Sequence, residues 1–437
     1  MGITEIFTKE MLIEYMSYYR SFLDVLNVFF DNGFYVLLYI LAFVATLYLL
    51  ISIYVFIFRT QSKEKEFARE KAPTVTIQIP TRNELIALRC AKKCLEFDYP
   101  KDKFEILIGD DSNDKEVSKK IDEFADKYDN IKVIRREKNV GFKPGNLQNM
   151  LKYSTGDILV IFDSDYTPEK DFLKRIVTPF IYDENVSVVQ ARWNFNNPNQ
   201  NLVTIMSATI GYMFHYVTLA LFDKFNTSSL CGSAEAVKKK DLIDLGGWRV
   251  GSLTEDIEYT LRLHIAGKKI QYLPKLECCG DAPYTPKDFY KQQMRWAYGV
   301  VSSYTIHFKD LLLTKKIKFG RKIVSFLPGI GYFIAPLISL LFIFGILSFF
   351  THAPEKFDIA RFLSETGFNI FITSGLLFAS VISLLLAKKY KYVLKMIIST
   401  FSVGLVALFY VNKGIIKSFL NKPMDWFLLK KEEHYEK

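Results

Sequence analysis

The segment Asp157-Ile-Leu-Val-Ile-Phe-Asp163-Ser164-Asp165 decides the fold. A short, unbroken apolar run reads as a strand buried on both faces. This one ends abruptly in two carboxylates. Upstream, Glu105-Ile-Leu-Ile-Gly-Asp110-Asp111 repeats the plan, and Ser112-Asn113-Asp114 follows as a turn. Strands are predicted over 75–80, 105–111, 132–136, 157–163 and 186–193, with helical patterns between most of them. Such alternation predicts an α/β domain built on a mostly parallel sheet. Ligands of these sheets bind at the carboxyl ends of the strands, where the acidic residues fall.

Outside that domain the chain turns apolar. Hydrophobic residues are 50 % of the 437 and aromatic residues 15 %, which fits one sizeable domain joined to a few transmembrane helices. Residues 34–58 carry no charge and suffice to cross a hydrocarbon core of about 30 Å. The stretch is too long for a signal-peptide core. Acidic residues dominate before it, whereas Arg59, Lys63, Lys65, Arg69 and Lys71 follow. The positive-inside rule therefore places the next domain in the cytoplasm. Further spans are expected over 327–350, 370–387 and 393–410. Three spans would leave the C-terminus outside, yet Lys413, Lys417, Lys422, Lys430 and Lys431 argue for inside. A re-entrant piece around Pro328-Gly329, or a last segment that does not fully cross, would reconcile the two. The expected organisation is an N-terminal segment with one span (1–72), a cytoplasmic catalytic domain (73–300), and an interfacial helix, about three spans and a basic tail (301–437).

The net charge of +10 raises nucleic-acid binding. However, the lysines cluster beside apolar stretches, and no basic stripe interleaved with aromatics stands clear of them. No nucleic-acid partner is expected. Cys90, Cys94, Cys231, Cys278 and Cys279 lack a C-x-x-C pair, which argues against zinc and against a disulfide framework. Cys90 and Cys94 share a helix face and read as small buried side chains.

Each acidic cluster has a structural reading beside its chemical one. Asp110 and Asp111 can accept hydrogen bonds from a nucleobase or ribose, or serve a turn and a helix N-cap. Asp163 and Asp165 suit a hard divalent cation such as Mg2+, which takes one or two carboxylates and then phosphate oxygens. Alternatively they make a turn before a helix starting at Thr167-Pro168. Thr254-Glu255-Asp256 precedes a helix closed by Gly267. Thr254 would cap it while the acids complement its dipole, or Asp256 is a general base for an acceptor hydroxyl. In Gln292-Gln293-Met294-Arg295-Trp296, Arg295 can grip a diphosphate and Trp296 pack on a sugar ring, or Trp296 is an interfacial anchor. Lys143 at a helix start can hold phosphate. No Walker-type loop appears, so an ATPase has no support.

The order Asp-Asp, Asp-x-Asp, Thr-Glu-Asp, Gln-x-x-Arg-Trp resembles the processive family 2 glycosyltransferases, the group of cellulose, mannan and hyaluronan synthases. The resemblance extends to Thr76–Glu84, Val189-Gln-Ala-Arg-Trp193 with Asn194, Cys231-Gly232-Ser233-Ala234 and Gly246-Gly-Trp248. Asp425-Trp426 in the tail is similar to the cytoplasmic terminus of the mannan synthases. The resemblance implies a GT-A-like domain with transmembrane helices, and a membrane-integrated inverting enzyme. It would make a β-linked glucan or mannan from UDP-glucose or GDP-mannose with Mg2+ or Mn2+. By resemblance, Thr81, Glu84, Asp110, Asp111, Lys143, Asp163 and Arg295 would bind the donor nucleotide. Asp163 and Asp165 would hold the metal, and Asp256, with Glu255, would be catalytic. Cys231, Gly232, Ser233, Glu255, Gln292 and Trp296 would meet the acceptor. The implied partners are a nucleotide-sugar donor, a glycan or lipid acceptor and the bilayer. Two alternatives stay open: transfer of a single sugar to a lipid of ceramide or polyprenyl-phosphate type, and a non-catalytic membrane protein that only binds sugar.

Overall fold

The computed structural model describes residues 9–58, 64–353, 358–424 and 427. The strands are β1 (Val75–Thr81), β2 (Phe104–Asp110), β3 (Ile131–Ile134), β4 (Ile158–Ile161), β5 (Val186–Phe195), β6 (Glu235–Lys238) and β7 (Lys269–Gly280). The first nine helices are α1 (Lys9–Ile57), α2 (Ala87–Leu95), α3 (Lys115–Ala125), α4 (Phe142–Leu151), α5 (Phe172–Tyr182), α6 (Leu202–Tyr212), α7 (Leu219–Lys224), α8 (Lys239–Asp244) and α9 (Glu255–Ala266). Then follow α10 (Pro286–Leu313), α11 (Phe319–Gly331), α12 (Ile334–Thr351), α13 (Ile359–Thr373), α14 (Gly375–Leu386), α15 (Val393–Ser399) and α16 (Leu405–Phe419). The chain forms two compact units, Met1–Leu50 with Phe333–Ala379, and Ile51–Tyr332 with Ser380–Lys437.

The larger unit is built on a sheet of order β3-β2-β1-β4-β6-β5-β7. All strands run the same way except β6, which pairs antiparallel with β4 and β5. One face packs on α2, α3 and α5 through residues such as Ile77, Cys90, Ile106, Phe124 and Ile176. The other packs on α4, α8 and α9 through Leu147, Leu159, Leu242, Tyr259 and Trp248. With helices on both faces, β1 and β4 are buried at every position, which is why they read as continuous apolar runs.

Two strands escape the apolar-run criterion. β6 is only four residues long and runs into three consecutive lysines, Lys238 to Lys240. β7 contains Pro274 and Lys275, and its pairing with β5 jumps between Leu273 and Glu277. The helix expected at Thr167-Pro168 begins instead at Phe172, because Thr167 bridges to Cys279 and extends the sheet edge.

In the smaller unit, α1 and α12 interlock at small residues and aromatics. Gly33 lies against the ring of Phe344, and Asn27 donates to Ser348 O at 2.9 Å. Gly375 lets the start of α14 meet the α1 backbone at Ala45. Helices long and apolar enough to cross a membrane lie at Glu14–Ile57, Leu202–Lys224, Ile334–Thr351 and Tyr390–Phe419. The pair Ile359–Thr373 and Gly375–Leu386, bent by 47°, adds a fifth candidate. The expected span over 327–350 is therefore shortened. Pro328 and Gly329 belong to the separate helix α11, and a new helix starts at Ile334. Leu202–Lys224 is also apolar, but 56 % of its window is buried within the protein, on Phe289 of α10 and Ala407 of α16. Arg59, Lys63, Asp425, Trp426, Lys430 and Lys431 lie outside the described residues.

Candidate active site

Thr81, Asp110 and Asp163 end or immediately follow three neighbouring parallel strands. Because β6 runs backwards, its first residue, Glu235, reaches the same edge. The chain steps from β1 outward to β2 and β3 on one side and to β4 on the other, so this edge is a topological switch point.

Lys143 stands at its centre. α4 enters through Gly141 (φ 74) and Phe142 (φ 55). The second is a left-handed bulky residue, a strain that persists only where the surroundings impose it. A β-carbon on Gly141 would stand 2.2 Å from Val250, so only glycine fits there. Lys143 Nζ is thereby brought 2.7 Å from Asp163 Oδ1 and 3.0 Å from Glu255 Oε1, and it donates to Gly232 O at 2.5 Å. Burial alone would depress this amine, but Asp163 and Glu255 outweigh it and hold the amine above its ordinary range. Arg295 of α10 faces Glu255, Asp163 and Asp256. Burial lowers its guanidinium, and those three carboxylates oppose the shift.

Asp256 lies across Gly232 from the lysine. A β-carbon on Gly232 (φ 85) would be 3.5 Å from both Asp256 Oδ2 and Lys143 Nζ. Burial, reinforced by the charge of Glu255, pushes Asp256 up to about 7. The Gly232 loop is clasped from β5. Gln190 accepts from Cys231 N at 2.9 Å, and both Gln190 Nε2 and Trp193 Nε1 donate to Ser233 O. Ser233 Oγ in turn accepts from Asp163 N at 2.9 Å. Five separated segments, at Lys143, Asp163, Gln190–Trp193, Cys231–Ser233 and Glu255, thus converge within one hydrogen-bonded cluster.

The remaining sequence-derived positions surround it. Both oxygens of Asp110 are engaged, by Ser112 N, Ser118 Oγ and Arg135 Nε. Burial raises its carboxyl, yet these bonds prevail and hold it low. Asp111 forms a bidentate pair with Arg136. Both carboxylates therefore brace the loops at the carboxyl end of β2. Thr81 donates to Glu84 O, and Glu84 Oε2 accepts from Ser164. Asp165 Oδ2 accepts from Asp281 N. Thr254 makes no side-chain cap. Its hydroxyl meets Ser303 of α10 at 3.4 Å instead, so the capping reading fails. Gln292 Oε1 is buried without a hydrogen bond, and Trp296 is half-buried beyond it.

Among the described residues no three His, Cys, Asp or Glu side chains converge on one point. Asp163 keeps about a third of its side chain exposed beside buried Asp165. Two carboxylates suffice for a cation that completes its shell with phosphate oxygens, so the donor set fits Mg2+ or Mn2+.

Sequence reading missed several participants. Glu235 belongs to a strand too short to recognise. Arg136 and Arg89 gave no signal, because their partners (Asp111 for one, Asp165 O and Asp281 for the other) are distant in sequence.

Residues 72–299 match the family described as "Glycosyltransferase like family 2", and residues 231–395 match "Cellulose synthase". The chain is 31 % identical over 277 residues to glucomannan 4-beta-mannosyltransferase 2 of Arabidopsis thaliana, covering 60 % of this chain and 50 % of that protein. It is 30 % identical over 290 residues to the UDP-forming cellulose synthase catalytic subunit of Pseudomonas fluorescens (strain SBW25), covering 62 % and 38 %. It thus spans about half or less of the length of these relatives. The fold is similar to that of the mannosyltransferase PcManGT from Pyrobaculum calidifontis in complex with GDP-Man and Mn2+. The TM-score is 0.59 and the identity 17 %, over 92 % of this chain and 100 % of that one.

Proposed function

The chain belongs to the glycosyltransferase like family 2, and on that premise we propose that it is a membrane-integrated, inverting hexosyltransferase extending a β-linked glucan or mannan from UDP-glucose or GDP-mannose. The observation that carries the reading is the placement of Lys143 between Asp163 and Glu255, with Asp256 across Gly232. This arrangement supports a lysine that would meet a diphosphate beside a carboxylate that would act as base on an acceptor.

In this reading Asp256 takes the proton of the acceptor hydroxyl as its oxygen attacks the anomeric carbon from the face opposite the nucleotide. Carbon–oxygen bond formation and loss of the nucleoside diphosphate occur in one displacement, which inverts the centre. A base with its pKa near the working pH contributes roughly 10²–10⁴-fold. Lys143 and Arg295 are pre-organised to receive the negative charge that develops on the leaving diphosphate. Asp163 and Asp165 would hold a divalent cation, which when bound neutralises part of that same charge. Gln292 and Trp296, on the helix that carries Arg295, would meet the acceptor sugar. The long apolar helices support residence in a bilayer, and the basic residues after the first span support a cytoplasmic catalytic unit.

The test is a donor screen on the detergent-solubilised protein. UDP-glucose, UDP-N-acetylglucosamine, UDP-glucuronate and GDP-mannose are offered with Mg2+ or Mn2+, and nucleotide release and product size are followed. A high-mass product from one donor supports polymer synthesis. A product of lipid mobility alone replaces that reading with single transfer.

A further inference from the structure

Glu235 is the one carboxyl of the centre that the proposed mechanism leaves without a task. It is 1 % exposed. Its Oε2 accepts from Gly232 N at 2.9 Å and from Cys231 N at 3.3 Å. The carbonyl of the same Gly232 receives the Lys143 amine, and its Cα faces Asp256. Gly232 is thus held at its N–H by Glu235 and presents its other groups to the lysine and the base. Ala234, beside Glu235, is held at φ 52, a conformation that costs an alanine energy.

Charge balance gives this carboxyl a second property. Asp256 and Glu255 face it from α9, Lys143 from α4 and the Cys231 thiol from its own loop, while Gln190 of β5 adds no charge. Lys143 is committed to Asp163 and Glu255. Among the described residues no cation lies within ion-pair distance of Glu235. A buried carboxylate without a cation is costly, so the proton stays. Burial first, then the charge of Asp256, pushes this carboxyl up to about 8.

We infer that Glu235 is a positioning residue of the transfer centre, one that seats the Gly232 peptide between Lys143 and Asp256 while carrying a proton, so that Asp256 alone is the ionised base there. The inference rests on the transferase reading. When Glu235 loses its proton to solvent, a further negative charge arises beside Asp256 and Glu255 and against the incoming diphosphate, and donor capture weakens.

The experiment compares the full chain with Glu235→Gln. Glutamine keeps an acceptor for Gly232 N and Cys231 N but cannot ionise. For the wild type, donor kcat/KM should fall above about pH 8, by up to about tenfold per pH unit. In E235Q that alkaline fall should vanish, whatever the absolute rate. A merely structural Glu235 predicts the same alkaline fall in both, which would overturn the inference. Infrared difference spectra of the wild type between about pH 6 and about pH 9 supply a readout that needs no turnover. Protonated-carboxyl C=O bands should be lost on the alkaline side. Asp256→Asn, which removes the contribution of Asp256 itself, should keep one titrating band, and adding Glu235→Gln to that variant should abolish it. Absence of the band in Asp256→Asn refutes a proton on Glu235. Silence with every donor while the band is present would instead refute the transferase reading alone.

Discussion

Gly299 of α10 lies directly against Thr254, the residue that opens the Thr-Glu-Asp segment: a β-carbon on the glycine would stand 2.6 Å from Thr254 Cγ2 and 2.7 Å from its Oγ1. The bare Cα fixes the spacing between the helix that bears Arg295 and the segment that bears Asp256. Alanine in a helix interior normally gains about 0.5–1 kcal/mol over glycine. Here Gly299→Val should lower transfer by about 10–100-fold, since small misplacements of a reacting group carry such costs. Circular dichroism should show the helix content retained. Wild-type rates in that variant would remove the spacing argument.

Lys143 is the cation on which two carboxylates depend. Lys143→Ala leaves Glu255, 4 % exposed, as a buried charge without its lysine partner, a change that costs on the order of 3 kcal/mol. A lowered Tm is expected together with loss of donor binding. Lys143→Arg restores charge but not the compact ammonium that fits beside Gly232 O, so it should recover stability more fully than activity. Calorimetry with nucleotide titration separates the two effects.

The raised pKa of Asp256 sets an acid limb. The base acts only when ionised, so below about 7 the value of kcat/KM should fall about tenfold per pH unit, and its maximum should lie between this limb and the alkaline fall that Glu235 imposes above about 8. Asp256→Asn should abolish transfer at every pH while sparing donor binding. Persistent turnover in that variant would exclude Asp256 as the base.

Asp163 and Asp165 predict a cation requirement. Chelation should stop transfer, and added Mg2+ or Mn2+ should restore it. Asp165→Asn should raise the cation concentration needed for half-maximal rate more than it changes donor affinity measured without cation. Full activity in the presence of chelator would remove the metal from the proposal.

The parts of this fold that were legible in the sequence are those whose signal is local. β1, β2 and β4 are buried on both faces and so appear as apolar runs. Their acidic ends mark the edge of the sheet, and Gly267 stops α9 as a left-handed cap (φ 71). What escaped depends on distant partners. Nothing local discloses that Asp110 and Asp111 are held by Arg135 and Arg136, 25 residues on in each case. β6 and Glu235 are invisible because a four-residue reversed strand carries too little periodicity. Thr254 has the composition of a cap, but its partner Ser303 lies on another helix.

The apolar helix near the C-terminus also takes part in building the site, and two of its glycines give opposite predictions. Gly414 of α16 meets α10 so closely that a β-carbon would be 2.3 Å from Met294 O, one residue before Arg295. The contact continues in the stacked rings of Tyr290 and Tyr410, with centroids 5.0 Å apart. Gly404, ten residues earlier, has the flexible end of Met206 as its nearest neighbour, at 3.2 Å, with Ser399 O at an ordinary contact distance of 3.7 Å. A backbone carbonyl cannot yield without moving its helix, whereas a methionine terminus rotates away at little cost. Gly414→Ala should therefore displace the Arg295–Trp296 turn and lower transfer by about tenfold or more, while Gly404→Ala should stay within about twofold of wild type. Donor binding and transfer measured side by side check this. Equal tolerance at the two positions would mean that α16 packs beside the catalytic unit without setting the position of Arg295.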